Sequence, residues 1–183
     1  MLNQKSPRLI LVVIVIALLL LSPIVVLFFP IAVVETLYFH RENIVLLTPK
    51  INFLLILIAI LMIIFGLVIL AFKRSVITYI LTILLLIGSL GSVYFSTLSY
   101  TAIQKTQIIT KEYHTTTIYK WEDIQKVIYE YEVGTVGTYY FITDNNKEFF
   151  IKENGQFGLD EKRAIYKSAN ENGVNFIERE KTN

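Results

Sequence analysis

The sequence predicts two parts of different class. Residues 1–100 form a membrane all-α part with three transmembrane helices, and residues 101–183 form a soluble α+β domain. Three observations carry this. Leu9–Phe29, Ile51–Phe72 and Val76–Leu98 are apolar runs, each roughly the 20 residues that an α-helix needs to cross ~30 Å of hydrocarbon. The hydrophobic fraction, 54%, is high for a soluble globular chain. Past Tyr100, continuous apolar runs give way to apolar–polar alternation, the signature of half-buried strands.

Each span follows from elementary chemistry. Lipid offers no partner to backbone N–H and C=O groups, so a crossing segment must bond internally as a helix. A soluble protein of 183 residues has no interior large enough to bury three such helices on every face. Lys5 and Arg8 precede the first run, which is too long for a signal-peptide core and has no small-x-small cleavage site after it. Pro30 marks the expected end of span one, and Thr48-Pro49 reads as an N-cap with proline at the first helical position of span two. Lys73-Arg74 leaves only a short turn, so spans two and three form a tight antiparallel hairpin. Tyr38, Phe39, Tyr94 and Tyr100 fall near the expected interfaces, where amphipathic rings sit. The segment between spans one and two is long and apolar, and Ile44–Leu47 is expected at the interface or against the soluble domain.

Span three carries Gly88, Ser92 and Ser96 at a spacing of four, a stripe that admits close approach of another helix. Packing within the chain is one use of it, and a homo-oligomer seam through span three is the other. No ionisable residue lies deep in any span, which counts against a proton relay or a transport pathway.

The charge balance separates the two parts. Residues 1–100 hold six basic and two acidic side chains, and residues 101–183 hold eleven and thirteen. The soluble part is mildly acidic, which argues against nucleic acid and against a generic anionic lipid surface as its main partner. Basic residues close to span ends in short segments stay cytoplasmic. Lys5, Arg8, Lys73 and Arg74 then predict a cytoplasmic N-terminus and an extracytoplasmic C-terminal domain in the cell membrane.

In the soluble part, Gln107–Thr110 and Thr115–Tyr119 read as strands, and Trp121–Ile124 as a short corner. Val127, Tyr129, Tyr131 and Val133 alternate with Ile128, Glu130 and Glu132. Turns at Gly134–Gly137 and Asp144–Lys147 separate strands Thr138–Thr143 and Glu148–Lys152. Leu159–Asn172 is a helix ended by Asn172-Gly173, with Ala164, Ile165, Ser168 and Ala169 toward the sheet, and Val174–Ile177 adds a terminal strand.

Tyr119-Lys120-Trp121-Glu122-Asp123-Ile124, then Val127, a glycine turn, Tyr140-Phe141-Ile142, Phe149-Phe150-Ile151 and a closing helix, resemble PH-like domains of small bacterial membrane proteins. The resemblance covers about residues 101–178. It implies a curved antiparallel sheet capped by the C-terminal helix. Phosphoinositide binding is not implied, because the strand-to-strand loops hold no basic cluster.

No catalytic constellation is present in the sequence. There are two histidines, His40 and His114, far apart and without clustered carboxylates, and no cysteine, so no metal or cofactor is expected. Trp121 and Asp123 are the structural corner, with Trp121 in the core and Asp123 on backbone N–H groups. Tyr129, Tyr131, Tyr139 and Tyr140 are the candidate interaction surface, since alternation leaves about half of so many aromatics outward. The expectation is a non-enzymatic, membrane-anchored protein-interaction module with the lipid bilayer and a protein as its partners. A small oligomeric transport or channel subunit and a membrane-embedded enzyme are the alternatives.

Overall fold

The computed structural model describes residues 7–132 and 134–180. Lys5 and Val133, both used in the sequence reading, lie outside the described residues. The chain divides into two units: one takes residues up to Leu37 together with Thr48–Ser99, the other Tyr38–Leu47 together with the chain from Tyr100 onward. The single boundary expected at residue 100 is therefore one of several crossings.

The first unit contains α1 (Pro7–Tyr38), α2 (Lys50–Phe72) and α3 (Val76–Ser96). All three are long and apolar enough to cross a membrane, which by length and composition marks a multi-pass membrane protein. Helix α1 does not stop at Pro30 but runs on to Tyr38, with Pro23 and Pro30 inside it. Pro23 has no N–H to give the carbonyl four residues back, that of Leu19. The Ser22 hydroxyl donates to that carbonyl instead, at 2.9 Å, so the helix continues. At α2 the cap position is Pro49 rather than Thr48, and no side chain caps it. Ser75 caps α3 in a reciprocal pair with Thr78, whose hydroxyl accepts from the Ser75 N–H at 2.9 Å.

Helices α2 and α3 pack through small and hydroxyl-bearing residues. A Cβ on Gly66 would lie 3.1 Å from Thr82 Cγ2, and one on Gly88 would lie 3.0 Å from Met62 Cε. The Thr82 hydroxyl donates to the Thr78 carbonyl at 2.8 Å and reaches the Gly66 carbonyl at 3.3 Å. Near the other end, buried Asn52 donates from Nδ2 to the Ser99 carbonyl at 2.8 Å.

The second unit is built on two four-stranded sheets. One has the order β1 (Asn43–Leu47), β2 (Tyr100–Gln104), β3 (Gln107–Glu112), β4 (Thr115–Lys120), antiparallel throughout. The other has the order β7 (Glu148–Lys152), β6 (Thr138–Thr143), β5 (Ile124–Tyr131), β8 (Asn175–Glu180). Its pairings are antiparallel except β5 with β8, which is parallel. Helix α4 (Leu159–Glu171) connects β7 to β8. Strands β1 and β2 were not anticipated; their pairing spans the whole α2–α3 hairpin, and local pattern carries no trace of it.

Both sheets contribute to one core. The row Val45–Ile103–Ile108–Tyr119 comes from the first sheet, and Phe149–Phe141–Val127–Phe176 from the second. Tyr119 stacks on Phe149 at 4.0 Å between ring centroids, and Trp121 meets Phe141 edge-on at 6.1 Å. Ile165, Ser168 and Ala169 of α4 are buried, as the helical spacing predicts. The helix ends in a Schellman motif: Gly173 at φ 71° lets its N–H reach the Asn170 carbonyl while the Val174 N–H reaches that of Ala169.

Candidate functional site

The strand period of two divides the four candidate tyrosines between faces of one sheet. Tyr129 and Tyr139 pair across β5 and β6 on the face toward the core. Tyr140, one residue on, pairs with Ile128 and Phe150 on the opposite face. Tyr139 is 2% exposed, so it is core rather than a surface contact. Tyr129 is half-buried, its ring tilted against Tyr139 at 4.6 Å and stacked with Tyr131 at 5.9 Å. Of the four, Tyr131 and Tyr140 line a hollow of about 210 Å³ at the sheet end, together with Glu130, Glu132, Thr138 and Lys152.

Behind the inner tyrosines lies a polar cluster that sequence reading missed. Glu153 has a side chain only 5% exposed, and its carboxylate serves two elements. One oxygen accepts from the Gly137 N–H at 3.1 Å, and the other lies 3.0 Å from Lys162 Nζ on α4. The same ammonium donates to the Tyr129 hydroxyl at 3.3 Å and lies 5.6 Å from that ring's centroid. A Cβ on Gly137 would collide with the Tyr129 ring, so a larger residue here would require that ring to move. Burial first, then the charge of Glu153, pushes the Tyr139 hydroxyl well above its ordinary value near 10. Tyr129 is raised as well, chiefly by burial, which outweighs the lowering by Lys162. Burial opposes the Lys162 ammonium, but Glu153 and Tyr129 together hold its pKa above the ordinary lysine value. The carboxylate thus ties the β5–β6 turn to α4, and its partners are all inside the fold. Glu153 follows β7 and keeps the alternation parity of buried Ile151, the one local signal in the sequence for its burial.

The outer face has a different chemistry. The row Phe150–Tyr140–Ile128–Ile177 takes one apolar residue from each strand and crosses the whole sheet. Phe150 is 68% exposed, and its ring lies 6.2 Å from that of Tyr140. The flanking rows are Lys152–Thr138–Glu130–Arg179 on one side and Glu148–Ile142–Lys126–Asn175 on the other. Arg179 forks onto one Glu130 oxygen, Nη2 at 2.7 Å and Nε at 2.9 Å. The apolar centre is thus flanked by rows that are polar except at Ile142.

The remaining candidates are scattered. Trp121 is fully buried, and its Nε1–H donates to the Gln104 carbonyl at 2.8 Å. Asp123 is exposed and holds the corner through its backbone instead, its carbonyl accepting from the Asp144 N–H at 3.1 Å. Gly88 faces Met62 of α2, Ser96 is buried with its hydroxyl on the Val93 carbonyl, and Ser92 is half-buried. Among the described residues, no three His, Asp or Glu side chains gather as a metal site. No family model matches the chain, and no curated protein matches it.

Proposed function

We propose that this chain is a membrane-anchored, non-catalytic interaction module whose second unit takes a protein partner on the outer face of the β7-β6-β5-β8 sheet. The observation that carries the reading is the row Phe150–Tyr140–Ile128–Ile177, aromatic and aliphatic across four strands, with Phe150 in solvent, Tyr140 and Ile177 part-exposed and Ile128 buried beneath them. Such centres dominate binding energy when a polar rim excludes water around them. On the same reading the second unit is a PH-like domain, supported by two sheets around one core and a helix after the last meander strand. Strand β8, added in parallel beyond that helix, is an extension of the pattern.

The test is a photo-crosslinking residue at position 140 of the full chain in its native membrane, with position 167 on exposed α4 as reference. A discrete protein adduct at 140 and none at 167 is expected. Equal, unspecific labelling at both positions would overturn the proposal.

We further propose that the N-terminus is cytoplasmic and the second unit extracytoplasmic, supported by Lys73 and Arg74 in the short α2–α3 turn. Ser168 is buried, so the reporter belongs at exposed Glu171. Glu171→Cys should react with an impermeant thiol reagent in intact cells. Reaction only after lysis would reverse the assignment.

A further inference from the structure

The two sheets of the second unit present four edges, and three of them are obstructed. Strand β1 has an irregular register between Asn43 and Val45, and the Gln156 side chain donates to its Leu46 carbonyl at 2.7 Å. Strand β7 is five residues long with Glu148 and Lys152 at its ends. Strand β8 carries Glu178, Arg179 and Glu180 in succession. Bulges, short strands, charges and covering groups are the means by which proteins block unwanted strand pairing.

Strand β4 has no bulge and no covering group among the described residues, and its one charge, Lys120, stands at its end. Thr115-Thr116-Thr117-Ile118-Tyr119 is uncharged, proline-free and β-favouring. Its register with β3 is unbroken from Gln107↔Lys120 to Glu112↔Thr115. Only Tyr119 of the six residues is even half-buried. Every second residue of such an edge turns its N–H and C=O away from β3, ready for another strand.

We propose that this edge is a strand-addition site whose occupant is β4 of a second copy of this chain, paired antiparallel about Ile118. Two observations select a second copy. The row Leu46–Ala102–Ile109–Ile118 of the first sheet is apolar in every strand: Leu46 and Ala102 are buried, Ile109 is half-buried, and the row emerges at Ile118, which is 54% exposed. A two-fold axis through the edge sets Ile118 against Ile118 and continues that row through eight strands. The same pairing also keeps like charges apart, Lys120 having its counter-charge in Glu122 of its own chain at 3.0 Å. The one charged residue of the strand, Lys120, falls opposite Thr116 of the other copy, and the two lysines stand at opposite ends of the ribbon. Anchoring by three apolar helices confines the copies to one bilayer and raises their encounter frequency. The surface is separate from the outer face of the second sheet, so this proposal does not rest on the protein-partner reading.

The chain has no cysteine, which makes the test direct. In the full-length protein in liposomes, Ile118→Cys should oxidise to a disulfide-linked dimer, since facing residues of antiparallel strands lie within disulfide reach. Thr116→Cys and Lys120→Cys should crosslink when mixed and not when either is alone. Lys167→Cys, on exposed α4, should give no dimer. Ile118→Lys lies outside the core, so the chain should fold and run as a monomer in native mass spectrometry. Crosslinking of Thr116→Cys with itself, an Ile118→Lys chain that remains dimeric, or a wild-type chain that is monomeric at every protein-to-lipid ratio would each overturn the proposal.

Discussion

Leu20 and Ile77 are 74% and 77% exposed in the helical unit, while Asn52, Thr82 and Ser96 are buried there. In the second unit Trp121, Phe141 and Ile165 are fully buried, and charged side chains occupy much of the surface. The same alphabet is turned inside out. Lipid is as apolar as leucine, so contact between helices selects small residues that fit closely and hydroxyls that find a carbonyl. Water penalises apolar area, so the sheets bury rings and branched chains at roughly 25 cal/mol per Å². The buried polar groups differ as well. The helices use single neutral bonds, such as Thr82 to Thr78, whereas the second unit holds a carboxylate between a backbone N–H and an ammonium.

Four measurements on the full chain in detergent would break or sharpen this contrast. The largest effect is expected from Phe141→Ala, which empties the centre of the shared core and should cost about 3–5 kcal/mol in unfolding free energy. Leu20→Ala in α1 should change stability by no more than about 0.5 kcal/mol. Equal losses would mean that Leu20 packs against something other than lipid.

Next is Glu153→Ala, which strands the Gly137 N–H and loosens α4, with an expected cost of about 2–3 kcal/mol. Glu153→Gln, able to accept the same backbone bond, should recover a good part of it. Identical losses in the two variants would show that the charge, rather than the acceptor, holds the turn.

The third concerns pH. Tyr139 is raised above its ordinary value near 10 by burial, so the unfolded chain gives up this proton first as pH rises. The stability it supports is complete below about pH 10 and declines above it, by roughly 1 kcal/mol between pH 10 and 11. Tyr139→Phe should flatten that alkaline limb, leaving the part due to Tyr129 and Lys162, which are raised too. An unchanged limb would place Tyr139 in contact with water.

The smallest effect is expected in the helices. Asn52→Leu removes a bond to Ser99 within the hairpin and should lower the melting transition by an amount equivalent to about 0.6 kcal/mol. A cost above that of Glu153→Ala would erase the distinction between the two interiors.

Much of this architecture is legible in the residues. Apolar length marks α2 and α3 to within a few positions, and alternation from Val127 to Tyr131 marks β5 as a strand, although Tyr129 and Tyr131, read as an interaction surface, share the core-facing side with Val127. The turn residues Asp144–Lys147 separate β6 from β7, with Asn146 at φ 56°, a conformation that asparagine accepts more readily than most residues. What was not legible depends on partners distant in sequence. Ile44–Leu47 reads as a segment at the interface or against the soluble domain, and only its partners Ala102 and Ile103 make it a strand of that domain. Pro30 reads as a helix stop, because steric rules for proline say nothing of a helix that goes on through it. Tyr139 and Tyr140 are alike by composition, and only the strand register separates a core ring from a surface ring.

The α2–α3 hairpin lies between β1 and β2 in the chain, and this orders events on the ribosome. Strand β1 is complete about fifty residues before β2 begins, an interval of roughly 3–10 s at ordinary elongation rates. Throughout that interval β1 has no neighbour to bond, and the first sheet closes only after both hairpin helices have been made. An insertion error that delivered the two strands to opposite sides of the bilayer would leave that sheet unable to form. Closing the β1–β2 ladder thus requires both ends of the hairpin to be on the same side, a condition set by the order of the elements rather than by any single residue.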